Sequence, residues 1–316
     1  LARGVPSANS QAGLLRVTYG ASEATVDWHR NSIGILDVAV AGDHFGESIA
    51  IGDFNGDGYD DIAVGVPDDD VSTITDAGSV HILYGSANGL TATGDQVWHS
   101  DSAGIQGIAE ADERYGQVLT AGDFDCDGHD DLAVGVPLES LSANEGGFVN
   151  VLYGSAGGLT SLDDAWYQSG SGVPDTFEAN DHFGAALAVG NFNGALTCED
   201  LVIGAPDEDY TGFVDAGWVY VMYGTQTGLE TTGQFSFYQS TIGFVDTSET
   251  NDQLGKRFWI EDRDEDGYDD LTAWVPGEPS CPTAGKSGFH VVYGGSTGLT
   301  SAGDGLECLE AYQLHK

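Results

Sequence analysis

One pattern returns four times along the chain. It stands at residues 43–67 (DHFGESIAIGDFNGDGYDDIAVGVP), 112–137 (DERYGQVLTAGDFDCDGHDDLAVGVP), 181–206 (DHFGAALAVGNFNGALTCEDLVIGAP) and 252–276 (DQLGKRFWIEDRDEDGYDDLTAWVP). The leading acids Asp43, Asp112, Asp181 and Asp252 step by 69, 69 and 71 positions. A long, nearly fixed period means that one supersecondary unit is copied, so the chain is read as a repeat array. Within the unit, residues 46–51 alternate small or polar with apolar side chains, as a strand does. Residues 61–66 form a second short apolar run, closed by Pro67.

Between these two runs lies an acidic turn, Asp53-Phe54-Asn55-Gly56-Asp57-Gly58-Tyr59-Asp60-Asp61. Side-chain oxygens at its positions 1, 3, 5 and 9 can converge on one cation, the carbonyl of position 7 adds a ligand, and Gly at position 6 permits the sharp turn. An EF-hand begins alike but requires Glu at position 12, where this chain has Val64, Val134 and Ala273. The expectation is therefore a calcium loop inside a β-hairpin. Three loops keep the pattern, giving three expected Ca²⁺ sites. The ligands are Asp53, Asn55, Asp57, Asp61 and the Tyr59 carbonyl; Asp123, Asp125, Asp127, Asp131 and the His129 carbonyl; and Asp262, Asp264, Asp266, Asp270 and the Tyr268 carbonyl. The remaining copy, Asn191-Phe192-Asn193-Gly194-Ala195-Leu196-Thr197-Cys198-Glu199-Asp200, has lost the acids at positions 1 and 5 and gained a residue, so no calcium is expected there.

The closing prolines, Pro6, Pro67, Pro137, Pro206 and Pro276, each precede a variable polar loop and a third strand ending in Tyr-Gly, at residues 14–20, 80–85, 149–154, 219–224 and 290–294. A Gly-Leu turn follows at residues 89–90, 158–159, 228–229 and 298–299, then an aromatic fourth strand around Trp28, Trp98, Trp166, Phe237 and Tyr312. Four short strands per unit with Gly-rich turns and no helical period predict an all-β protein, a β-propeller of four-stranded antiparallel blades. The blades are expected at residues 43–111, 112–180, 181–251 and 252–316, with a partial first blade at 1–42 that lacks its first strand. Packing between blades is the expected task of the fourth-strand aromatics.

These residues resemble the FG-GAP repeats of integrin α-subunit propellers and of secreted bacterial proteins. The FG pair stands as Phe45-Gly46, Tyr115-Gly116, Phe183-Gly184 and Leu254-Gly255. The GAP triplet stands as Gly65-Val66-Pro67, Gly135-Val136-Pro137 and Gly204-Ala205-Pro206, while Trp274-Val275-Pro276 departs from it. The resemblance implies a calcium-stabilised, extracellular propeller that binds partners and has no catalysis of its own. Family propellers commonly have seven blades, so closure of the ring is an open question. We expect the free edge of the first blade to be covered by a segment upstream of Leu1 or by self-association. Two other roles are carried alongside: an accessory propeller of a larger secreted hydrolase, and a structural subunit of an extracellular assembly.

Composition narrows the partners. Lys and Arg total 9 against 51 Asp and Glu, a net charge of −42. Phosphate backbones need a basic surface, so nucleic acid is excluded as a partner. No stretch approaches the run of roughly 18 apolar residues that a membrane span needs. His44 and His182 precede the FG position in two repeats where Glu113 and Gln253 stand in equivalent places, which suits a turn or packing role better than catalysis. No catalytic motif ties the Ser, His and Asp residues together. The loops between second and third strands, at residues 68–77, 138–146, 207–216 and 277–285, differ in every copy, so a protein or glycan ligand is expected on that face. An even cysteine count, Cys126, Cys198, Cys281 and Cys308, favours disulfides in a secreted chain. Cys126 with Cys198, in corresponding loops of consecutive blades, is the first choice and leaves Cys281 with Cys308; free buried thiols are the alternative.

Overall fold

Short apolar runs broken by Gly-rich turns fold as five small antiparallel sheets. The computed structural model describes residues 1–20, 24–140, 145–170, 172–194, 198–241, 243–278, 281 and 287–309. Sheet one has three strands, β1 (Ala2–Gly4), β2 (Leu15–Tyr19) and β3 (Ala24–Trp28). Sheet two has β4 (Ile49–Gly52), β5 (Asp61–Val66), β6 (Ser79–Tyr84) and β7 (Thr91–Trp98). Sheet three has β8 (Val118–Gly122), β9 (Asp131–Val136), β10 (Phe148–Leu152) and β11 (Asp163–Trp166). Sheet four has β12 (Ala186–Gly190), β13 (Asp200–Ala205), β14 (Trp218–Thr225) and β15 (Gly228–Phe237). Sheet five has β16 (Phe258–Glu261), β17 (Asp270–Val275), β18 (Ser287–Tyr293) and β19 (Thr300–Leu309). Each sheet is a meander whose strands pair in chain order, the architecture of propeller blades. Among the described residues the one helical element, Ala8–Gln11, is a left-handed turn, since Asn9 and Ser10 hold φ of 51° and 61°.

The second strands explain why the apolar runs in the sequence do not alternate. Every residue of β5, β9 and β13 is buried, because a second strand is flanked by strands on both edges and packed on both faces. The first strands, at the sheet edge, are for the most part only half-buried.

The chain parts into two compact units. The first comprises residues 1–122, 128–141 and 148–166; the second comprises 123–127, 142–147 and 167–316. Sheets one to three thus belong to the first unit and sheets four and five to the second. In the first unit Leu15, Phe45, Val64 and Leu83 share a buried cluster that joins sheets one and two. In the second, Phe192, Val221, Phe237 and Leu271 do the same for sheets four and five.

Two glycines of the repeat have a shared steric reason. A Cβ on Gly65 would lie 2.1 Å from the carbonyl oxygen of Gly116, and one on Gly204 would lie 2.2 Å from that of Gly255. The Gly that opens the GAP triplet is where the next repeat's FG turn touches the strand, and no side chain fits between them. Of the fourth-strand aromatics, Trp166 and Phe237 are buried and Trp28 and Trp98 are half-buried. Phe237 stacks on Phe244 at 4.8 Å. Tyr312 lies outside the described residues, as do Ala195 and residues 141–144, 279–280 and 282–285 of the variable loops.

Candidate cation loops and the clasp between sheets

Pairing of Gly52 with Asp61, of Gly122 with Asp131 and of Glu261 with Asp270 closes each acidic loop as the turn of a hairpin. The loops wind their own backbone around their first acid. In the first, the Asp57 N–H donates to Asp53 Oδ1 at 3.0 Å and to Asn55 Oδ1 at 2.9 Å, and the Gly58 N–H donates to Asp53 Oδ2 at 2.8 Å. The last repeats this: the Asp266 N–H reaches Asp262 Oδ1 at 3.0 Å and Asp264 Oδ1 at 3.2 Å, and the Gly267 N–H reaches Asp262 Oδ2 at 3.0 Å. In the middle loop the Asp127 N–H donates to Asp123 and Asp125, both at 3.1 Å. Gly58, Gly128 and Gly267 hold φ of 86°, 89° and 94°, the left-handed region that position 6 requires.

Such winding turns the acids towards one another. Carboxylate oxygens of Asp123, Asp125 and Asp127 all lie within 4.8 Å of each other, as do those of Asp262, Asp264 and Asp270. An all-oxygen set on a tight turn suits a hard divalent cation, and calcium above all. Tyr59, His129 and Tyr268 sit at position 7 as the spacing requires; the Tyr59 and Tyr268 N–H groups donate to Asp57 and Asp266, both at 3.0 Å. In the copy without the metal pattern the Gly194 N–H donates to Asn191 Oδ1 at 2.8 Å, and residues 195–197 lie outside the described set.

Position 9 carries a task the spacing did not disclose. Asp61 is buried and accepts from the Phe54 N–H at 3.0 Å and the Gly85 N–H at 2.6 Å. Asp270 accepts from the Arg263 and Gly294 N–H groups, both at 2.9 Å. Asp200, in the copy lacking the metal acids, accepts from Phe192 at 2.9 Å and Gly224 at 3.0 Å. This carboxylate therefore ties the loop to the Tyr-Gly end of the third strand whether or not the rest of the cation pattern is present. Burial pushes the Asp61 carboxyl up to about 6 and that of Asp200 to about 7.

The residue before position 9 forms a clasp with the loop of the preceding repeat. The Asp53 N–H donates to Asp130 Oδ2 at 2.7 Å while the Asp130 N–H returns to the Asp53 carbonyl at 3.1 Å, and the Ser155 N–H reaches the Phe54 carbonyl at 3.2 Å. Asp123 and Glu199 exchange the same two bonds at 3.1 and 2.8 Å. Asn191 and Asp269 do so at 2.8 and 3.0 Å, with the Gly295 N–H on the Phe192 carbonyl at 3.0 Å. The second unit adds a covalent tie at this place, the disulfide Cys126–Cys198, whose Cα atoms lie 4.6 Å apart; Cys281 pairs with Cys308.

At the opposite end of the sheets lies a recurrent buried acid pair. Its signal in the sequence is an acid two residues after each repeat's proline: Asp69, Glu139, Glu208 and Glu278. In the first case the buried Arg30 neutralises both Asp43 at 2.8 Å and Asp69 at 2.7 Å. Elsewhere a neutral side chain stands in its place. Ser100 donates to Glu113, and burial raises the carboxyls of Glu113 and Glu139, each pressed further by neighbouring acids. Gln168 Nε2 donates to Glu208, whose carboxyl burial and Asp181 push up to about 9, while Asp181 itself rises to about 7 through burial. Gln239 Nε2 donates to Glu278 at 2.7 Å, beside Asp252, which burial raises to about 7. His182 and His44 brace the same end. Both sit at positive φ, and Nδ1 of His182 meets Asp207 at 2.7 Å, which together with Glu145 raises the imidazole's pKa. His44 pairs with Asp68.

Comparison with known proteins agrees with this architecture. Residues 45–83 and 115–152 match the FG-GAP repeat family. Phosphatidylinositol-glycan-specific phospholipase D of Rattus norvegicus is 35% identical over 174 residues, covering 55% of this chain and 19% of the relative. Integrin alpha-PS2 of Drosophila melanogaster is 30% identical over 192 residues, covering 58% of this chain and 13% of the relative. The chain thus spans about a fifth or less of the length of these relatives. Among solved structures, rhamnogalacturonan lyase YesW aligns over 95% of this chain and 57% of its own, with 15% identity and a TM-score of 0.45. Residues 45–83 and 115–152 are FG-GAP repeats, and the chain's small antiparallel sheets, with an acidic loop in the first hairpin, are those of a β-propeller.

Proposed function

We propose that the chain is an extracellular interaction module, stabilised by calcium in three loops and without catalysis of its own. The observation that carries this reading is the convergence of oxygen-only side chains in two of the three loops, with the required positive φ at the position-6 glycine of all three. Two disulfides suit an oxidising compartment. The loops that differ between repeats emerge at the end of each sheet opposite the cation loops, so the ions stiffen one end while the other is free to vary and meet a protein or glycan. Likeness to integrin alpha-PS2 supports a protein partner. The test is binding of the purified chain to immobilised matrix proteins and glycans in calcium and in chelator, alongside a chain with residues 68–77 and 207–216 exchanged. Binding that survives the exchange of those loops would place the partner elsewhere.

A second reading rests on the likeness to phosphatidylinositol-glycan-specific phospholipase D, of which the chain covers only 19%. Here the module is the non-catalytic part of a larger secreted hydrolase. Turnover of a glycosylphosphatidylinositol by the purified chain would overturn the non-catalytic claim in both readings.

A further inference from the structure

The connection from sheet four to sheet five has the same layout as the one from sheet one to sheet two. Arg30 and Gln239 each stand two positions after the aromatics Trp28 and Phe237, and Asp37, Val40 and Asp43 correspond at equal spacing to Asp246, Glu249 and Asp252. The backbone agrees: the Val40 N–H donates to Asp43 Oδ2 at 2.6 Å, and the Glu249 N–H to Asp252 Oδ2 at 2.5 Å. In the first connection the Arg30 guanidinium sits at the centre, paired with Asp37, with Asp43 at 2.8 Å and with Asp69 at 2.7 Å. In the later one the Gln239 amide replaces it, Glu278 stands for Asp69, and the place of Val40 has gained an acid. Three carboxylates around a cation have become four around a neutral amide.

Oxygens without donors collect at this place. Among the described residues Gln239 Oε1, Asp246 Oδ2, Glu249 Oε2 and Asp252 Oδ1 are each buried and have no hydrogen-bond partner. Gln239 and Asp252 are fully buried, and the Gln239 amide is turned into the cluster, its Nε2 donating to Glu278 Oε2 at 2.7 Å. Oxygens of Asp246, Glu249 and Glu278 lie within 4.8 Å of one another. Ligands about 2.3–2.6 Å from one calcium stand no more than about 5 Å apart, so these three fit a single ion. Burial, together with the neighbouring acids, raises the carboxyls of Glu249 and Asp252, the latter to about 7. The connection into sheet four carries a similar set, Gln168, Asp175, Glu178, Asp181 and Glu208, but there only Gln168 Oε1 is both buried and without a partner.

We infer that the connection between sheets four and five binds a calcium ion through Asp246, Glu249, Asp252, Glu278 and the Gln239 amide oxygen, in the place that the Arg30 guanidinium takes between sheets one and two. An all-oxygen set rich in carboxylates selects a hard divalent cation, and its flexible spacing favours calcium over magnesium. Asp246 and Glu249 are half-buried on a long connection rather than set on a tight turn. The site is therefore less rigid than the acidic loops and fills after them, at about 10⁻⁴–10⁻³ M calcium. Glu278 opens the variable loop at residues 277–285, so the ion braces the base of that loop, at the end of the sheets opposite the acidic loops.

The test is calcium titration of the full chain at constant ionic strength, read by amide exchange. The Thr247 and Glu249 N–H groups donate to Asp246 and Asp252, and their exchange should slow at least about tenfold, with a midpoint above that of Asp57 and Gly267 in the loops. Gln239→Arg/Glu249→Val restores the arrangement around Arg30. It should bind one calcium fewer than the parent in equilibrium dialysis at saturating calcium and protect both amides without the ion. Glu249→Gln should weaken this site at least about tenfold and leave the loop midpoints unchanged. Exchange at Thr247 and Glu249 that calcium leaves unaltered, or that sodium alone slows equally, overturns the inference. So does a double variant that binds as many calcium ions as the parent.

Discussion

Replacing Asp200 by Ala separates the structural task of position 9 from cation binding, because its repeat has lost the other metal acids. Asp200 is fully buried, and its two oxygens hold the Phe192 N–H at 2.9 Å and the Gly224 N–H at 3.0 Å. Truncation strands two buried donors at about 1–3 kcal/mol each. Relief of a buried acid whose carboxyl already sits near 7 returns part of that cost. A net loss of roughly 3 kcal/mol is expected, which for a unit of this size lowers Tm by about 6–12 °C. Asp200→Asn keeps one acceptor but turns an amide NH₂ towards the other donor, so its loss should be intermediate. Calorimetry or circular dichroism, run with calcium and with chelator, gives the decisive comparison. The Asp200→Ala loss should be the same in both, whereas that of Asp57→Ala should largely vanish in chelator. An Asp200→Ala variant that melts within about a degree of the parent, or that differs from it only in calcium, would refute the reasoning.

Calorimetric titration should find three strong calcium sites, with Asp57→Ala and Asp127→Ala each removing one and Asn193→Ala removing none; a site with a dissociation constant a hundredfold below the ion concentration adds about 2.7 kcal/mol. An unchanged melting curve in chelator would end the structural-calcium reading. The pH response follows from the buried acid pairs: carboxyls whose folded pKa stands above the unfolded value bind protons on folding, so stability falls as pH rises from about 5 through the folded value. For Glu208, at about 9, the decline extends across neutrality, is on the order of a few kcal/mol, and should flatten in Glu208→Gln, measured as Tm against pH in chelator. A profile that Glu208→Gln leaves unaltered would remove Glu208 as its source. Loss of the Cys126–Cys198 bridge, which spans 72 residues, should cost about 4 kcal/mol by chain entropy, read from the melting of Cys126→Ser/Cys198→Ser.

Repetition made the fold legible. Alternation at residues 46–51, the apolar run at 61–66 and the Tyr-Gly close of the third strand each recur, and each recurrence removed the ambiguity a single short run would have carried. The acidic loops were legible as hairpin turns for the same reason. The Cys126–Cys198 pair followed from repeat correspondence. What could not be read was the use of one acid for two ends. Asp61 stands at position 9 of the expected ligand pattern, and the fold also sets its oxygens on the Phe54 and Gly85 N–H groups. The acid pairs were equally hidden, since Glu208 and Asp181 lie 27 residues apart in sequence and meet only through the fold. The acid two residues after each proline was the available signal.

These two kinds of acid explain how one repeat can lose its cation pattern and keep its place. In the copy at residues 191–200 the ligands at positions 1 and 5 are gone, but Asp200 still ties the loop to the third strand and Asn191 still clasps Asp269. Neither contact needs a charge at position 1: the clasp uses the backbone N–H and carbonyl of Asn191 and would be made by any residue there except proline. The acids at positions 1 and 5 are therefore free to be lost, while position 9 and the residue before it are not. Within each unit, cohesion between neighbouring sheets rests on the clasp, and the proposed cation would act on the outer turn beyond it. Stripping calcium should accordingly loosen residues 53–59 and 262–268 before it parts the sheets. Amide exchange in chelator would show this order, with Asp57 and Gly58 losing protection while Asp130 and Asp269 retain it; simultaneous loss at all four would mean that the ion, not the clasp, holds the sheets together.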